Sequence, residues 1–144
     1  MGVNTRFTIA DDDLDLAYID DMDYDWQHLP DIDDYEQMGK IRELVDLRNN
    51  SPVISWLHHH LWHQIEETGY TEIQPSLVED LISDLRTALY HPELAPKIFP
   101  SAPLWKGELD YSEDDFERMQ IALERLPRIF SEDYSHSKLW VEQG

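Results

Sequence analysis

The sequence predicts a mainly α, single-domain protein of about four principal helices, with room for a small β-hairpin at the N-terminus. Three observations carry that expectation. From Gln37 onward, apolar residues recur at spacings of three and four, the period of one helix face. Helix-start signals stand at Ser51-Pro52, at Pro75 and at Ser112. The 144 residues make one domain of ordinary size, with no internal repeat and no linker to divide it. The single domain, 1–144, reads as an acidic N-terminal segment (1–39), a helical core (40–130) and a C-terminal tail (131–144).

Taken in order, Arg6-Phe7-Thr8-Ile9 and Leu14 to Ile19 flank the polar Ala10-Asp11-Asp12-Asp13 and would form the hairpin. Ile41, Leu44, Val45 and Leu47 make one apolar helical stripe, ended by Asn49-Asn50-Ser51-Pro52. Ser51 then caps a second helix running to about Glu67 and stopping at Gly69, with Ile54, Leu57, Leu61 and Ile65 inward. Pro75 opens a third helix, in which Leu77, Leu81, Ile82, Leu85 and Leu89 face the core and Pro92 sets the end. Pro92, Pro96, Pro100 and Pro103 enforce a non-helical connection of roughly twenty residues, long enough to be packed down or functional. Ser112, followed by Glu113, Asp114 and Asp115, caps a fourth helix with Phe116, Met119, Leu123 and Leu126 inward. Pro127 ends or kinks it, and the tail carries Phe130, Tyr134, Leu139 and Trp140.

Composition excludes more than it identifies. Eleven Lys and Arg stand against thirty-one Asp and Glu, a net charge of −20, which argues against direct binding to nucleic acid or an anionic membrane. There is no Cys, hence no disulfide, thiolate nucleophile or Cys-ligated metal. Five scattered Gly leave no phosphate-cradling loop, and no apolar run approaches the ~20 residues of a membrane span. The N-terminus carries no signal-peptide pattern, so a cytoplasmic location is expected. No nucleophile-elbow or triad motif occurs, and no cofactor is implied.

Two clusters could carry function. His58-His59-His60-Leu61-Trp62-His63 places His59 and His63, or His60 and His63, on one helix face, a spacing able to hold a divalent metal. The zincin arrangement fails because His60 stands where its Glu belongs, and a solvated polar face is the plainer account. The second cluster is the acid field. From Phe7 to Gly39 there is no Lys or Arg, while eleven Asp and Glu36 give a net −12. Its acids are Asp11, Asp12, Asp13, Asp15, Asp20, Asp21, Asp23, Asp25, Asp31, Asp33, Asp34 and Glu36, interleaved with Tyr24, Trp26 and Tyr35. An EF-hand is ruled out, since counting from Asp11 or Asp21 the required Gly and Glu positions are filled by Leu16 and Met22, or by Trp26 and Ile32. If compact, Asp11 to Glu36 would show about one charge per 3.3 Å, close to the ~3.4 Å of a nucleic-acid strand. The plain alternative is that the acids only keep the protein soluble.

Residues 48–126 also hold a set of short motifs. They are Arg48-Asn49-Asn50; Val53-Ile54-Ser55-Trp56-Leu57; Tyr70-Thr71-Glu72-Ile73 ahead of Leu77 and Leu81; Phe99-Pro100; Leu104-Trp105-Lys106-Gly107; and Asp110 to Asp115 opening the last helix. In this order they resemble a widespread group of small, mostly helical phage proteins of unknown function. Pro52 and Lys106 depart from its pattern, and the acidic segment lies outside it. The resemblance implies a phage origin and a helical fold, with no catalytic residue to carry over. Trp56, Tyr70, Phe99, Trp105 and Tyr111 would then build one aromatic core under the Pro-rich connection. Combined with the charge, it leads to an expected anti-defence inhibitor acting in the host cytoplasm. Its partner would be a basic nucleic-acid-binding host protein such as a CRISPR nuclease or surveillance complex, and these acids with Tyr24, Trp26 and Tyr35 would bind it. The alternative is a metal-binding protein or metal-dependent enzyme using His59, His60 and His63.

Overall fold

A computed structural model of the chain describes residues 4–14, 16, 39–61, 70–101 and 109–143. Its centre is a four-stranded antiparallel sheet, ordered β2-β1-β4-β3. The strands are β1 (Asn4–Asp11), β2 (Ile41–Arg48), β3 (Tyr70–Glu72) and β4 (Ser137–Gln143). The helices are α1 (Ser51–His60), α2 (Pro75–Tyr90), the short α3 (Ala95–Ile98) and α4 (Glu113–Arg125), with 3₁₀ turns at Pro92–Leu94 and Leu126–Ser131. The chain is therefore α+β, and the mainly α expectation is corrected.

The error has a local cause. β2 holds a β-bulge against β1: Phe7 pairs with Val45, but Thr8 pairs with Glu43, so Leu44 is an extra residue. The bulge turns Leu44, Val45 and Leu47 toward the helices, while Ile41 joins a cluster on the opposite sheet face. A strand with one inserted residue, buried on both faces, thus yields the 41, 44, 45, 47 pattern of a helix. β4 shows no strand pattern in the sequence for a related reason. Leu139 and Val141 face the helices while Trp140 faces the other side, so three consecutive apolar residues replace the alternation of a half-buried strand. Its partner β1 also lies at the far end of the chain, with Thr5 opposite Gln143.

The predicted polar turn is present, since Leu14 N–H donates to the Asp11 carbonyl at 3.0 Å. The hairpin is not. β1 pairs instead with β2 and β4, and Leu14 and Leu16 are buried beside Ala10, Tyr70 and Trp140.

On the other face of the sheet, α1, α2 and α4 pack over Phe7, Leu47, Leu139 and Val141. Here the helix signals hold. α2 begins at Pro75 and buries Val78, Leu81, Ile82, Leu85 and Ala88, with Leu77 and Leu89 at the margin. α4 begins after Ser112 as expected and buries Met119 and Ala122, with Leu126 just beyond. α1 is capped by Asn50 rather than Ser51: the Asn50 side-chain oxygen accepts the Val53 N–H at 3.3 Å, and its amide donates to the Arg118 carbonyl at 2.8 Å. Asn49, at φ 52°, makes the left-handed turn that Asn tolerates. α1 ends at His60, short of the expected Glu67, and 62–69 lie outside the described residues. The Pro-rich connection is partly helical through α3, since Pro92 and Pro96 occupy first-turn positions where the missing N–H costs nothing.

Ahead of α4, Asp115 is 3 % exposed and organises a tight loop, its Oδ2 accepting the N–H of Asp110 at 3.1 Å and of Tyr111 at 2.9 Å. Burial pushes its carboxyl up, while hydrogen bonds from Ser112 pull Asp110 down. Tyr111, at φ 55°, is held by that bond and by its hydroxyl, which donates to the Phe99 carbonyl at 2.8 Å. The single aromatic core is therefore half right. Trp56 and Phe99 are in it with Tyr111 against it, Tyr70 sits on the opposite sheet face, and Trp105 lies outside the described residues.

Arg42 fixes the β2 edge to the turn after α4 through a two-pronged pair with Glu132, at 2.9 and 2.8 Å. Arg42 holds the Glu132 carboxyl below the usual range. A carboxylate depressed in the folded state adds stability above its unfolded value, about 4.3, and that contribution disappears as pH falls through the folded value. Arg42→Ala is therefore expected to lower the melting temperature at neutral pH, with the gap to wild type closing below about pH 4. A gap that stays constant into acid would remove the pair from the account.

Candidate functional site

Three surface regions have the chemistry for a site. The first is the acid field. Of the predicted contact residues, Asp11, Asp12 and Asp13 are described, and they stand together on the turn at the end of β1. That turn is pinned by Asp11 N–H to the Lys40 carbonyl at 3.1 Å and by Asp12 N–H to the His136 carbonyl at 3.0 Å. Lys40 Nζ lies 3.7 Å from Asp13 Oδ2, a contact too exposed to neutralise much. Asp15, Asp20, Asp21, Asp23, Tyr24, Asp25, Trp26, Asp31, Asp33, Asp34, Tyr35 and Glu36 lie outside the described residues.

α4 adds a face that the sequence reading did not single out. Glu113, Glu117 and Glu124 fall within about 40° of one another around the helix axis, opposite its buried side, and all are exposed. The spacing of four and then seven was the signal. Among the described carboxylates Asp115 alone is buried, and Asp12, Glu79, Asp80, Glu113, Asp114 and Glu117 make no ion pair with a described residue.

The second region is the histidine end of α1. His58 is 2 % exposed, whereas His59 and His60 face solvent beside an open groove of about 440 Å³ shared with Asp84 and Lys97. His60 stacks on Trp56, ring centroids 3.7 Å apart and 16° from parallel. Its Nδ1 lies 2.8 Å from the Trp56 carbonyl, and because a carbonyl only accepts, Nδ1 carries the proton. That leaves Nε2 as its one free ligand atom. His63, needed for either predicted pair, lies outside the described residues, and no group of three metal-ligating side chains converges among those described.

The third region has no contiguous signature in the sequence. Two adjoining open grooves of about 400 and 340 Å³ run between β2 and α4 and share Asp46 and Arg125. Arg48, Arg118, Arg125 and Arg128 line them, beside the exposed Ile121. Arg118 and Arg125, two turns apart, share a face of α4, but Arg48 joins them only through the fold.

No protein family, curated protein or solved structure matches this chain. Function therefore rests on the surface itself. No helix among the described residues is long and apolar enough to cross a membrane.

Proposed function

We propose that the protein is an acidic inhibitor that occupies the basic, nucleic-acid-binding face of a partner protein and blocks its loading with DNA. The observation that carries this reading is the charge: a net −20, of which −12 lies in the stretch from Phe7 to Gly39. The described acids of that stretch, Asp11 to Asp13, are presented on a turn anchored by backbone hydrogen bonds, and α4 adds the exposed Glu113 and Glu117, which make no ion pair with a described residue, with Glu124 on the same face beside Arg125 and Arg128. Such a surface releases counterions from a basic groove as DNA does. The resemblance over 48–126 suggests a phage origin, so the partner we favour is a host defence effector, a CRISPR nuclease or surveillance complex.

The test is a pull-down with the tagged full chain from lysate of a CRISPR-bearing bacterium, at low and near-physiological salt. Recovery of a basic DNA-binding effector, lost on raising salt or adding DNA, is the expected result. If no nucleic-acid-binding protein is recovered at either salt, the inhibitor reading is wrong.

A further inference from the structure

The trough between β2 and α4 runs against the character of the molecule. It gathers four of the chain's eleven basic residues on a protein of net −20. Their engagements are loose. Arg125 Nη1 donates to the Asp46 carbonyl at 3.2 Å, Arg48 Nε stands 3.9 Å from Asp46 Oδ2, and Arg118 Nη1 stands 3.8 Å from Asp115 Oδ1. Arg128 makes no hydrogen bond or ion pair through its side chain with a described residue, although it helps to lower the Glu132 carboxyl. None of the four matches the close two-pronged pairing of Arg42 with Glu132. A guanidinium offers five N–H donors in a fixed fork, so most of this donor capacity is unspent within the described structure. Asp46 and Glu124 line the trough as well, two carboxylates against four guanidiniums.

We propose that this trough binds the phosphate group of a small phosphorylated molecule. Arg118 and Arg125 supply the fork donors, Arg48 and Arg128 flank them, and Ile121 carries the organic part. Arginine forks match phosphate geometry. Each groove falls within the ~300–1,000 Å³ of small-molecule sites. Ile121, 40 % exposed between Arg118 and Arg125, offers an apolar contact where the rest of such a ligand would lie. Size decides against a nucleic acid: a long polyanion would meet the surrounding carboxylates along its length, whereas a small anion feels mainly the trough. This site is independent of the acidic-inhibitor reading and stands or falls separately.

The experiment is an amide NMR titration of the full ¹⁵N-labelled chain at low ionic strength, with inorganic phosphate, a nucleoside monophosphate and a hexose phosphate as separate probes. Saturable shifts at Arg48, Arg118, Ile121 and Arg125 are expected. Arg118→Ala combined with Arg125→Ala should weaken binding about tenfold or more. Arg125→Lys, which keeps the charge and loses the fork, should weaken it several-fold, and it decides the matter if the double variant fails to fold. Arg86→Ala, on exposed α2 surface, should leave binding unchanged. Any phosphate whose binding responds this way upholds the site, and the tightest-binding probe names its source. Shifts that do not saturate, or that fall equally in Arg86→Ala, overturn it.

Discussion

Replacing Trp56 with Ala is expected to remove about 3–5 kcal/mol of stability, a large part of a domain total of about 5–15 kcal/mol. Trp56 is 0 % exposed and lies on α1, which faces both the sheet and α4. Its indole N–H donates to Asp84 on α2 at 2.8 Å, so one side chain ties α1 to α2 while filling the space between. Truncation loses the transfer free energy of the ring and leaves a cavity that rigid helices close only in part. Trp56→Phe separates the two contributions. It keeps most of the buried ring and gives up the bond to Asp84, which is half-buried and can turn to water, so a loss of about 1–2 kcal/mol is expected. Urea unfolding followed by circular dichroism measures both. A loss under about 1 kcal/mol for the Ala variant would mean that the α1–α2 junction repacks and is not the keystone described.

The helices were legible because their signals are local. Pro75 and Ser112 start α2 and α4 where expected, and the positions facing the core follow one stripe in each. Most of the sheet was hidden because its signals are not local. β1 finds its neighbours at residues 41–48 and 137–143, and no pattern within β1 announces either. The bulge at Leu44 then counterfeited a helix in β2, and burial on both faces erased the alternation in β4. The candidate sites divide in the same way. The acid stretch is a run in one dimension and was plain in the sequence. The arginine trough joins Arg48 to Arg118, Arg125 and Arg128 across seventy residues and exists only once β2 lies against α4. The histidine cluster was visible as a string, yet its neighbouring residues part company in the fold, with His58 in the interior and His60 against Trp56.

Reversing four charges at once, Asp20, Asp21, Asp23 and Asp25 to Lys, is expected to weaken binding to the proposed basic partner by about fifteenfold or more. An exposed ion pair is worth about 0.2–1 kcal/mol, and reversal replaces attraction by repulsion, so each site counts about twice. Four sites then give about 1.6–8 kcal/mol, and the low end of that range is still about fifteenfold in Kd. The matching set on α4, Glu113, Glu117 and Glu124 to Lys, tests whether the second acid face shares the contact. If it does, both sets weaken binding and both reduce the steepness with which affinity falls with salt, because fewer charges meet across the interface. If only the first set acts, the contact belongs to the Phe7–Gly39 stretch and α4 merely carries charge. Charge-neutral replacements, Asp to Asn and Glu to Gln, should lose about half as much free energy as the reversals. Unchanged affinity in the first set would show that recognition does not depend on these acids, and the mimicry mechanism would fail even if a partner is found.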